Sequence, residues 1–351
     1  MTSRFLKAAA VAAVGGSVLV AGVAADAQER VRWKLSSAYP TSLDPLGMNI
    51  VRWADNIDAM TDGNFRIEVF EPGALVPALE SFDAVSEGSI DIAYTSPGFY
   101  QGKLPHLAFF ASVPFGPNVN EYLAWVQGGG GYEIYDRELQ ANNIKGLQCG
   151  IVVAESSGWF REPIESLDDL NGLKMRFFGL GADVMQKFGV NTQTLGAADI
   201  YPALERGVID ATEFSYPTLD RNLGFYQIAK HNYFPGWHQQ ATFVDVLINL
   251  DRWNELSPAN QKIVEIACGE ANAWMMADAE AKQGEALAFF ESKGVTIHEW
   301  PPEFIEAFRG AWEEVAAERA AADPKFKEVY DSYTGFRESY AKWREVGYLK
   351  D

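Results

Sequence analysis

The stretch KMRFFGLGADVMQKFGVNTQTLGAADIYPALERGVIDATEFSYP, residues 174–217, determines the fold prediction for the whole chain. Its apolar runs and the helical periodicity between them predict strand, helix, short strand, helix and strand, with the strands at 175–178, 190–195 and 208–214. The second helix closes at Gly207, because the residue that follows a helix often adopts a positive φ, which glycine tolerates best. This order of elements is typical of an α/β lobe.

Two charged residues interrupt the strands of this stretch. Arg176 lies inside an apolar run, and Glu213 lies near the end of the last strand, where an α/β sheet normally carries Val or Ile. Burying these charges is costly unless both face a common cleft. A salt bridge between them at a strand end is the alternative explanation. The sequence leaves both explanations open.

The first 27 residues have the composition of an export signal. Arg4 and Lys7 precede an apolar run at 8–24, and residues 25–27 (ADA) supply a cleavage site before Gln28. An N-terminal membrane anchor is the alternative, but the run is short and rich in Ala and Gly. No cysteine follows the run, so it carries no lipoprotein attachment signal. The sequence therefore predicts cleavage after residue 27 and export to the periplasm.

The composition of the 351-residue chain is strongly acidic. It contains 48 Asp and Glu against 29 Lys and Arg, and its net charge is −19. Residues 1–27 hold two of the basic residues and one of the acidic residues, so their removal changes the net charge to −20. Such a protein repels nucleic acid and anionic membrane surfaces, and it binds an anion only where a local cation overrides the overall field. With 48% hydrophobic residues, the chain is long enough for two domains.

The two cysteines, Cys149 in a predicted strand and Cys268 in a predicted helix, fit no metal-binding spacing. In an oxidising compartment they can form a disulfide. The interpretation that we favour from the sequence is two well-separated buried thiols.

A short internal repeat indicates two lobes built on one plan. Residues 84–91 (AVSEGSID) match residues 203–210 (ALERGVID) at a constant offset of 119, and both copies stand at a helix–Gly–strand junction. Chance similarity is the alternative for so short a window. The repeat aligns residues 94–96 with residues 213–215, so each lobe presents a strand end. Two lobes that face each other across their strand ends form a ligand cleft.

The rest of the chain completes this plan. Further strands are predicted at 31–39, 64–70, 90–95, 144–153 and 242–250, and helices at 47–60, 79–87, 219–229 and 257–292. The last helix is about 50 Å long, enough to lie across both lobes. We predict an α/β, two-lobed protein of the periplasmic binding protein type (type II-like), with a cleft between the lobes. Lobe I comprises 28–152 and the returning strand within 241–256, lobe II comprises 153–240, and 257–351 hold the bridging helix and the C-terminal helices.

No enzyme motif accompanies this plan. The segment Gly179-Leu180-Gly181 lacks the third glycine of a dinucleotide loop, and the four histidines have no metal-ligand spacing. Glu155, just past the strand at 144–153, is a third acidic group near the expected cleft, with a solvated loop carboxylate as the alternative. Glu155 and Glu213 suit acid–base chemistry, but nothing in the sequence supplies a nucleophile or cofactor beside them. We therefore predict that the protein is not an enzyme.

Several segments together resemble one known family. The segment Lys174-Met175-Arg176, the helix DIYPALE at 199–205, the exported two-lobed plan and the long helix are similar to the extracytoplasmic solute receptors (DctP type) of TRAP (tripartite ATP-independent periplasmic) transporters. The resemblance covers essentially all of the mature chain. Three aromatic segments, at 158–160, 224–226 and 233–237, are closest to the branch that binds 2-oxo acids or lactate together with a metal ion.

The resemblance implies roles for individual residues. It implies that Arg176 forms the salt bridge to the ligand carboxylate, which suits bidentate guanidinium geometry. The branch implies a metal ion held by Glu155, Glu213, the main-chain carbonyl of Phe214 and Gln239. Calcium is favoured for these oxygen ligands, with sodium and no metal as the alternatives. The predicted ligand-binding set combines Arg176 with these residues: Glu155, Glu213, Thr95, Ser96 and Tyr100.

The implied function is that of a periplasmic receptor. It would capture a small 2-oxo or 2-hydroxy monocarboxylate, similar to pyruvate or lactate, and deliver it to the membrane permease of a TRAP transporter. Closure of the lobes around the ligand suffices for this function. A metal-free receptor for another organic acid, such as a dicarboxylate or a sulfonate, is the first alternative, and a periplasmic enzyme using Glu155 and Glu213 is the second. A homodimer through the long helix also remains open, whereas nucleic acid is not expected as a partner.

Overall fold

The computed structural model describes residues 30–349, so the predicted signal peptide at 1–27 lies outside the described residues. The described chain contains two β-sheets, one of five strands and one of six, with helices packed around them. This arrangement confirms the predicted α/β class and the two-lobed plan. None of the helices within residues 30–349 combines the length and the apolar character that a membrane span requires.

The strands are β1 (Val31–Ser37), β2 (Phe65–Phe70), β3 (Ile92–Thr95), β4 (Ile144–Val152), β5 (Gly158–Phe160), β6 (Lys174–Arg176), β7 (Asn191–Gln193), β8 (Ala211–Thr212), β9 (His231–Phe234), β10 (Thr242–Asn249) and β11 (Thr296–Glu299). The α-helices are α1 (Leu46–Met60), α2 (Ser81–Ser86), α3 (Val119–Gly128), α4 (Gly131–Gln140), α5 (Gly181–Lys187), α6 (Ala197–Glu205), α7 (Pro217–Leu223), α8 (Leu250–Glu255), α9 (Pro258–Ser292), α10 (Pro302–Ala322) and α11 (Pro324–Val346).

The first sheet has the strand order β2-β1-β3-β10-β4. Strand β1 pairs in parallel with β2 and β3, whereas β10 is antiparallel to both β3 and β4. The chain therefore leaves this sheet after β4 and returns to it by β10. The two crossing segments lie side by side, since the amide of Gly236 donates to the carbonyl of Glu155 at 2.8 Å and the amide of Ser157 donates to that of Tyr233 at 2.7 Å.

The second sheet has the order β11-β9-β5-β8-β6-β7, and its strands are shorter than the sequence predicted. The strands predicted at 175–178, 190–195 and 208–214 are wrong in their bounds: β6 and β8 end at Arg176 and Thr212, and β7 has only three residues. The chain leaves the sheet there because the apolar residues that follow, Phe178 and Phe214, turn to line the space between the sheets. The predicted helix at 219–229 also ends early, at Leu223.

The repeat found in the sequence has the same local structure in both copies. Helix α2 is followed by Gly88 with φ +74° and then by β3, and helix α6 is followed by Gly207 with φ +71° and then by β8. A positive φ is strained for residues with a side chain, so the two glycines mark equivalent turns. Both strands then end at the space between the sheets, where Ser96 and Phe214 lie.

Helix α9 confirms the predicted long helix almost to the residue. The side chain of Ser257 caps its first turn, and Pro258 occupies the first helical position, where no amide hydrogen is needed. The first half of α9 packs against β4 and α1 of the first lobe, and its second half packs against α7 of the second lobe. The ring of Phe290 contacts Trp159 edge-on at 4.7 Å between centroids. One helix thus contacts both lobes.

The prediction of two separate thiols is wrong. Cys149 on β4 and Cys268 on α9 form a disulfide that joins residues 119 apart in the sequence, with their Cα atoms 4.3 Å apart. The reason is tertiary, because the first half of α9 lies directly on β4 and brings the two buried side chains together. The disulfide fastens the long helix to the first sheet.

Candidate ligand and metal site

A small cavity of about 30 Å³ lies between the two sheets, at the ends of their strands. Its lining from the first lobe consists of Tyr39, Leu46, Ser96, Phe99, Val152, Thr242 and Val244, and its lining from the second consists of Arg176, Phe178, Phe214, Ser215 and Gln239. A larger cavity of about 550 Å³ lies between α3, β4 and α9, but its lining contains no Arg, Lys or His. Other cavities lined by Arg or Lys lie on the outer faces of the first lobe, for example beside Arg32, Lys34 and Arg66, whereas the smaller cavity combines a buried Arg with a position between the lobes.

The lobes are in contact at the edge of this cavity. The ring of Phe178, from the second lobe, meets Phe99 of the first lobe at 5.3 Å between centroids. A Cβ atom on Gly98 would lie only 2.2 Å from the tip of the Phe178 ring, so only glycine allows this approach. The structure therefore shows the two lobes closed on each other.

Arg176 ends β6 and is almost completely buried, with 1% of its surface exposed. Its Nη1 donates to Oε1 of Glu213 at 2.6 Å and to the main-chain oxygen of Glu213 at 2.7 Å. The rings of Phe178 and Phe214 lie 5.5 and 5.4 Å from its guanidinium carbon, within the range of cation–π attraction. The guanidinium is thus held rigidly, while its residue lines the cavity. A fixed, desolvated cation is suited to a small carboxylate.

Glu155 lies on the crossing segment after β4 and is also buried. Its Oε2 accepts a hydrogen bond from Nε2 of Gln239 at 2.7 Å, and its Oε1 lies 2.8 Å from Nε2 of His238. Gln239 and His238 belong to the other crossing segment, which runs over Glu155. The pairing of the two crossing segments therefore buries Glu155 against Gln239, a residue of the cavity lining, and rules out the solvated loop carboxylate.

Glu155, Glu213 and His238 form a buried group whose potential ligand atoms all lie within 4.8 Å of one another. Nε2 of His238 is also 3.6 Å from Oε2 of Glu213. Among the described residues, Oε2 of Glu213 and Oε1 of Gln239 are buried without a hydrogen-bond partner. Buried oxygens of this kind normally have a hydrogen-bond partner. The oxygens of this cluster that lack one are therefore available to coordinate a cation.

The environments of the two carboxylates differ. Burial raises the pKa of Glu155, and the contact with His238 only partly opposes that effect. Burial also disfavours the charged form of Glu213, but the guanidinium of Arg176 and the contact with His238 together outweigh it and lower the pKa of that carboxyl. For His238, burial alone would lower the pKa, yet the two carboxylates raise it. The two carboxylates therefore favour the protonated form of His238, which lies between them.

The structure brings most of the predicted site residues together. Arg176, Phe214, Gln239 and Ser96 line the cavity, and the side chains of Glu155 and Glu213 contact Gln239 and Arg176. Two predicted residues lie elsewhere. Thr95 is buried in β3 opposite Asp245, and Tyr100 donates its hydroxyl to Asp245 at 2.8 Å. Neither Thr95 nor Tyr100 is part of the cavity lining.

The sequence analysis missed two residues at this site, His238 and Tyr39. His238 precedes the predicted ligand Gln239, but an isolated histidine has no spacing that marks it, and its role depends on the pairing of the crossing segments. Tyr39 follows β1 and lines the first-lobe side of the cavity. Its position just after a strand end was a signal that could have identified it.

The comparisons with known proteins agree with this geometry. The family model for the bacterial extracellular solute-binding proteins, family 7 (DctP), matches residues 36–323. The chain belongs to this family. Family 7 consists of solute-binding proteins of transport systems, which confirms the predictions of a DctP-type receptor and of a protein that is not an enzyme.

Named relatives of this family 7 protein show which ligands such proteins bind. It is 38% identical to the monocarboxylate 2-oxoacid-binding periplasmic protein of Nostoc sp., over 91% of this chain and 87% of the relative. The structure is similar to that of a TRAP transporter solute-binding protein from Bordetella bronchiseptica, with a TM-score of 0.88 and 36% identity. The match covers 91% of this chain and 95% of that one, and that protein is a mixed-occupancy dimer with copurified calcium and picolinate. A TRAP solute-binding protein from Pseudoalteromonas atlantica, with bound sodium and pyruvate, matches with a TM-score of 0.86 at 30% identity, covering 90% and 96%.

Proposed function

We propose that this family 7 protein is a periplasmic receptor that binds a small 2-oxo or 2-hydroxy monocarboxylate together with a metal ion. The observation that carries the proposal is the buried guanidinium of Arg176, which lines a cavity of about 30 Å³ between the closed lobes and pairs with Glu213, one of two buried carboxylates beside that cavity. A single fixed cation recognises one carboxylate, and a small cavity between closed lobes suits a small acid. The ligands of the relatives, 2-oxo acids and picolinate, share this chemistry.

The cavity lining supports a monocarboxylate over a dicarboxylate. Arg176 is the only Arg, Lys or His in the lining, so a second carboxylate would be buried without a partner. The first-lobe side is largely apolar, since Leu46, Val152 and Val244 lie there. This side suits the methyl group of pyruvate or lactate. A dicarboxylate would need a second cation, whereas the other donors of this lining, such as the hydroxyls of Tyr39, Ser96 and Thr242, are neutral.

The site residues fit a metal ion. The oxygens of Glu155, Glu213 and Gln239 and the main-chain carbonyl of Phe214 are hard ligands of the kind that calcium and sodium prefer. When bound, the ion would neutralise the carboxylates and attract the carboxylate and the 2-oxygen of the ligand. The residues of the chain supply the rest: Arg176 orients the ligand carboxylate, and the closed aromatic rings exclude water.

Charge counting favours calcium, with sodium as the alternative. Glu155, Glu213 and the ligand carboxylate carry −3 and Arg176 carries +1, which leaves −2 when His238 is neutral. A divalent ion cancels that charge, and buried charges must be compensated. If His238 keeps its proton, −1 remains and sodium suffices. His238 therefore links the identity of the ion to its own protonation.

The same family membership supports the remaining parts of the proposal. We infer that the mature protein works in the periplasm and delivers its ligand to the membrane permease of a TRAP transporter. A homodimer is part of the inference, because the Bordetella bronchiseptica relative forms a dimer. Its contact would use the long helix or the C-terminal helices that follow it.

Calorimetric titration of the mature protein with pyruvate tests the proposal. The titration is carried out in calcium, in sodium, and after exhaustive chelation in sodium-free buffer. We expect tight binding with calcium, weaker binding after chelation, and recovery when calcium is returned. At 100 times its Kd, pyruvate should raise the free energy of unfolding by about 2.7 kcal/mol. If chelation leaves the affinity for pyruvate unchanged, the proposed metal ion is contradicted. If the protein binds succinate or taurine but not pyruvate, the proposed ligand class is contradicted. Turnover of pyruvate would contradict the function of a receptor.

A further inference from the structure

Asp220 is a completely buried carboxylate that the proposed site does not use directly. It lies in α7 and is not part of the cavity lining. Its Oδ2 accepts a hydrogen bond from Nε1 of Trp159 at 2.7 Å and one from Oγ of Ser156 at 3.5 Å. Its Oδ1 accepts from the main-chain amide of Ser215 at 3.1 Å.

These contacts join the two loops that carry the proposed metal ligands. Ser156 directly follows Glu155, and Ser215 directly follows Glu213 and Phe214. One oxygen of Asp220 holds the first loop, and the other oxygen holds the second. Asp220 therefore sets the distance between the two loops through hydrogen bonds one residue away from Glu155 and Phe214 and two residues away from Glu213.

Main-chain hydrogen bonds tie Glu155 to Gly236 and Glu213 to Arg176, but the sheet joins the two loops to each other by only a short ladder. Strands β5 and β8, which lie next to the two loops, have three and two residues, and they pair with each other only at Trp159–Thr212 and Phe160–Ala211. A longer ladder would fix the loops by main-chain hydrogen bonds alone. Here the side chain of Asp220 supplies the additional connection, on Trp159 of β5 and on the loop after β8.

Burying a carboxylate in this place is costly unless hydrogen-bond donors surround it. All three donors that surround Asp220 come from β5 and from the two loops, and the amide of Ser215 approaches the oxygen that Trp159 does not use. An apolar side chain would fill the same space without that cost, but it would leave the indole and the amide without acceptors. The hydrogen bonds of Asp220 are therefore directed at the two loops that carry the proposed metal ligands.

We propose that Asp220 is the positioning residue that holds Glu155 at the correct distance from Glu213 and Phe214 for metal binding. The inference rests on the proposed function and assigns to that site a residue outside the ligand set. Partners outside the ligand set typically change metal affinity by about 10–100-fold when they are removed. We expect the effect of Asp220 on calcium to exceed its effect on the organic acid, because Arg176 does not contact it.

The test compares Asp220→Asn with Asp245→Asn. Both carboxylates are completely buried, but Asp245 lies in β10 of the first sheet and bonds to Tyr100. Calcium affinity is measured by calorimetry, and pyruvate affinity is measured separately at saturating calcium. Asp220→Asn should weaken calcium binding about 10–100-fold and change pyruvate affinity at saturating calcium by less than about threefold. Asp245→Asn should leave calcium affinity unchanged.

A second readout separates positioning from general loss of stability. Terbium is bound in place of calcium, and its luminescence lifetime in H₂O and D₂O counts the waters on the ion. Asp220→Asn should add water to the bound ion, and Asp245→Asn should not. If Asp220→Asn fails to fold, Trp159→Phe and Ser156→Ala each remove one hydrogen bond and should shift calcium affinity in the same direction by a smaller factor.

The outcomes distinguish this inference from the function on which it rests. A wild-type protein that binds pyruvate equally well without any metal overturns the proposed metal site, and the role of Asp220 with it. A calcium-dependent wild type with unchanged calcium affinity in Asp220→Asn overturns the positioning role alone. Equal losses of calcium affinity in Asp220→Asn and Asp245→Asn would also overturn it, because they would show a general effect of buried carboxylates.

Discussion

Nη1 of Arg176 lies 2.6 Å from Oε1 of Glu213 and 2.7 Å from the main-chain oxygen of the same residue. The sequence allowed two explanations for these charges, a common cleft and a salt bridge at a strand end, and the structure shows the salt bridge. The pair is a buried ion pair, and Arg176 also lines the cavity. Each charge therefore depends on the other. A test substitution must remove ligand or metal binding without leaving the charge of the partner residue unpaired.

Arg176→Lys should weaken pyruvate binding by at least about tenfold. Lysine keeps a cation near Glu213 but cannot present two parallel donors to a carboxylate, and truncating a buried charged partner typically costs about 2–5 kcal/mol. Arg161→Ala is the control, because Arg161 lies in the same lobe and donates to the main chain of Leu204. Calorimetry measures both variants. Wild-type affinity in Arg176→Lys would place the carboxylate anchor elsewhere.

Glu213→Gln should abolish the dependence of pyruvate binding on calcium. The amide oxygen can still accept the hydrogen bond from Arg176, so the pocket keeps its shape while the ion loses a charged ligand. Titration of pyruvate with and without chelator gives the calcium dependence directly. Glu162→Gln, at an exposed position of the same lobe, is the control. Unaltered calcium dependence in Glu213→Gln would remove Glu213 from the metal site.

The disulfide between Cys149 and Cys268 should contribute about 2–5 kcal/mol to the free energy of unfolding. It closes a loop of 119 residues, and long loops gain the most from closure because the unfolded chain loses more freedom. Urea denaturation of the oxidised protein and of the Cys149→Ala, Cys268→Ala double variant measures the difference. The double variant avoids an unpaired thiol. Equal stability of the two proteins would contradict a formed disulfide.

Asp245 should make the protein less stable as the pH rises from about 4 towards 8. Burial raises the pKa of its carboxyl to about 8, far above the usual value near 3.9 in an unfolded chain. The folded state therefore binds this proton more tightly, and the stability that it gains is lost as the carboxyl ionises. Asp245→Asn cannot ionise.

We expect Asp245→Asn to lose less stability than wild type between pH 5 and pH 8, as measured by urea denaturation in chelator. Asp55→Asn, at an exposed position on α1, should behave as wild type does. Parallel pH profiles for wild type and Asp245→Asn would show that Asp245 is already ionised in the folded protein.

Expression of the full chain in a Gram-negative host should give a mature protein that begins at Gln28 and appears in the periplasmic fraction. The apolar run at 8–24 is short for a membrane span, and the small residues at 25–27 suit signal cleavage. Intact-mass analysis measures the new N-terminus. Retention of residues 1–27, or a membrane-bound product, would be the contrary result.

The long elements of the fold were predictable because their patterns extend over many residues. Helix α9 and strand β4 match their predicted bounds within one or two residues, since sustained periodicity leaves few alternatives. The short strands β6 and β8 were predicted too long, because the point at which the chain leaves the sheet depends on where Phe178 and Phe214 find their packing. That information is tertiary.

The site was predictable where a residue broke the pattern of its own segment. Arg176 and Glu213 were visible because a charge in a buried strand requires a reason, whereas His238 lies in a loop where no pattern exists to break. The bond between Cys149 and Cys268 was missed for the same reason, since it depends on how α9 lies on β4. The local sequence identifies a charged residue whose burial is unfavourable, but it cannot identify the partner that compensates its charge.

The contact between Phe178 and Phe99 has a kinetic consequence. While it holds, Arg176 is shut away from solvent, and a ligand paired with it has no path outward. Residence time is then the waiting time for the two lobes to part, and it depends on an aromatic contact between the lobes as well as on the ion pair with the anion. Evolution can therefore adjust how long the cargo is carried without altering which cargo is chosen.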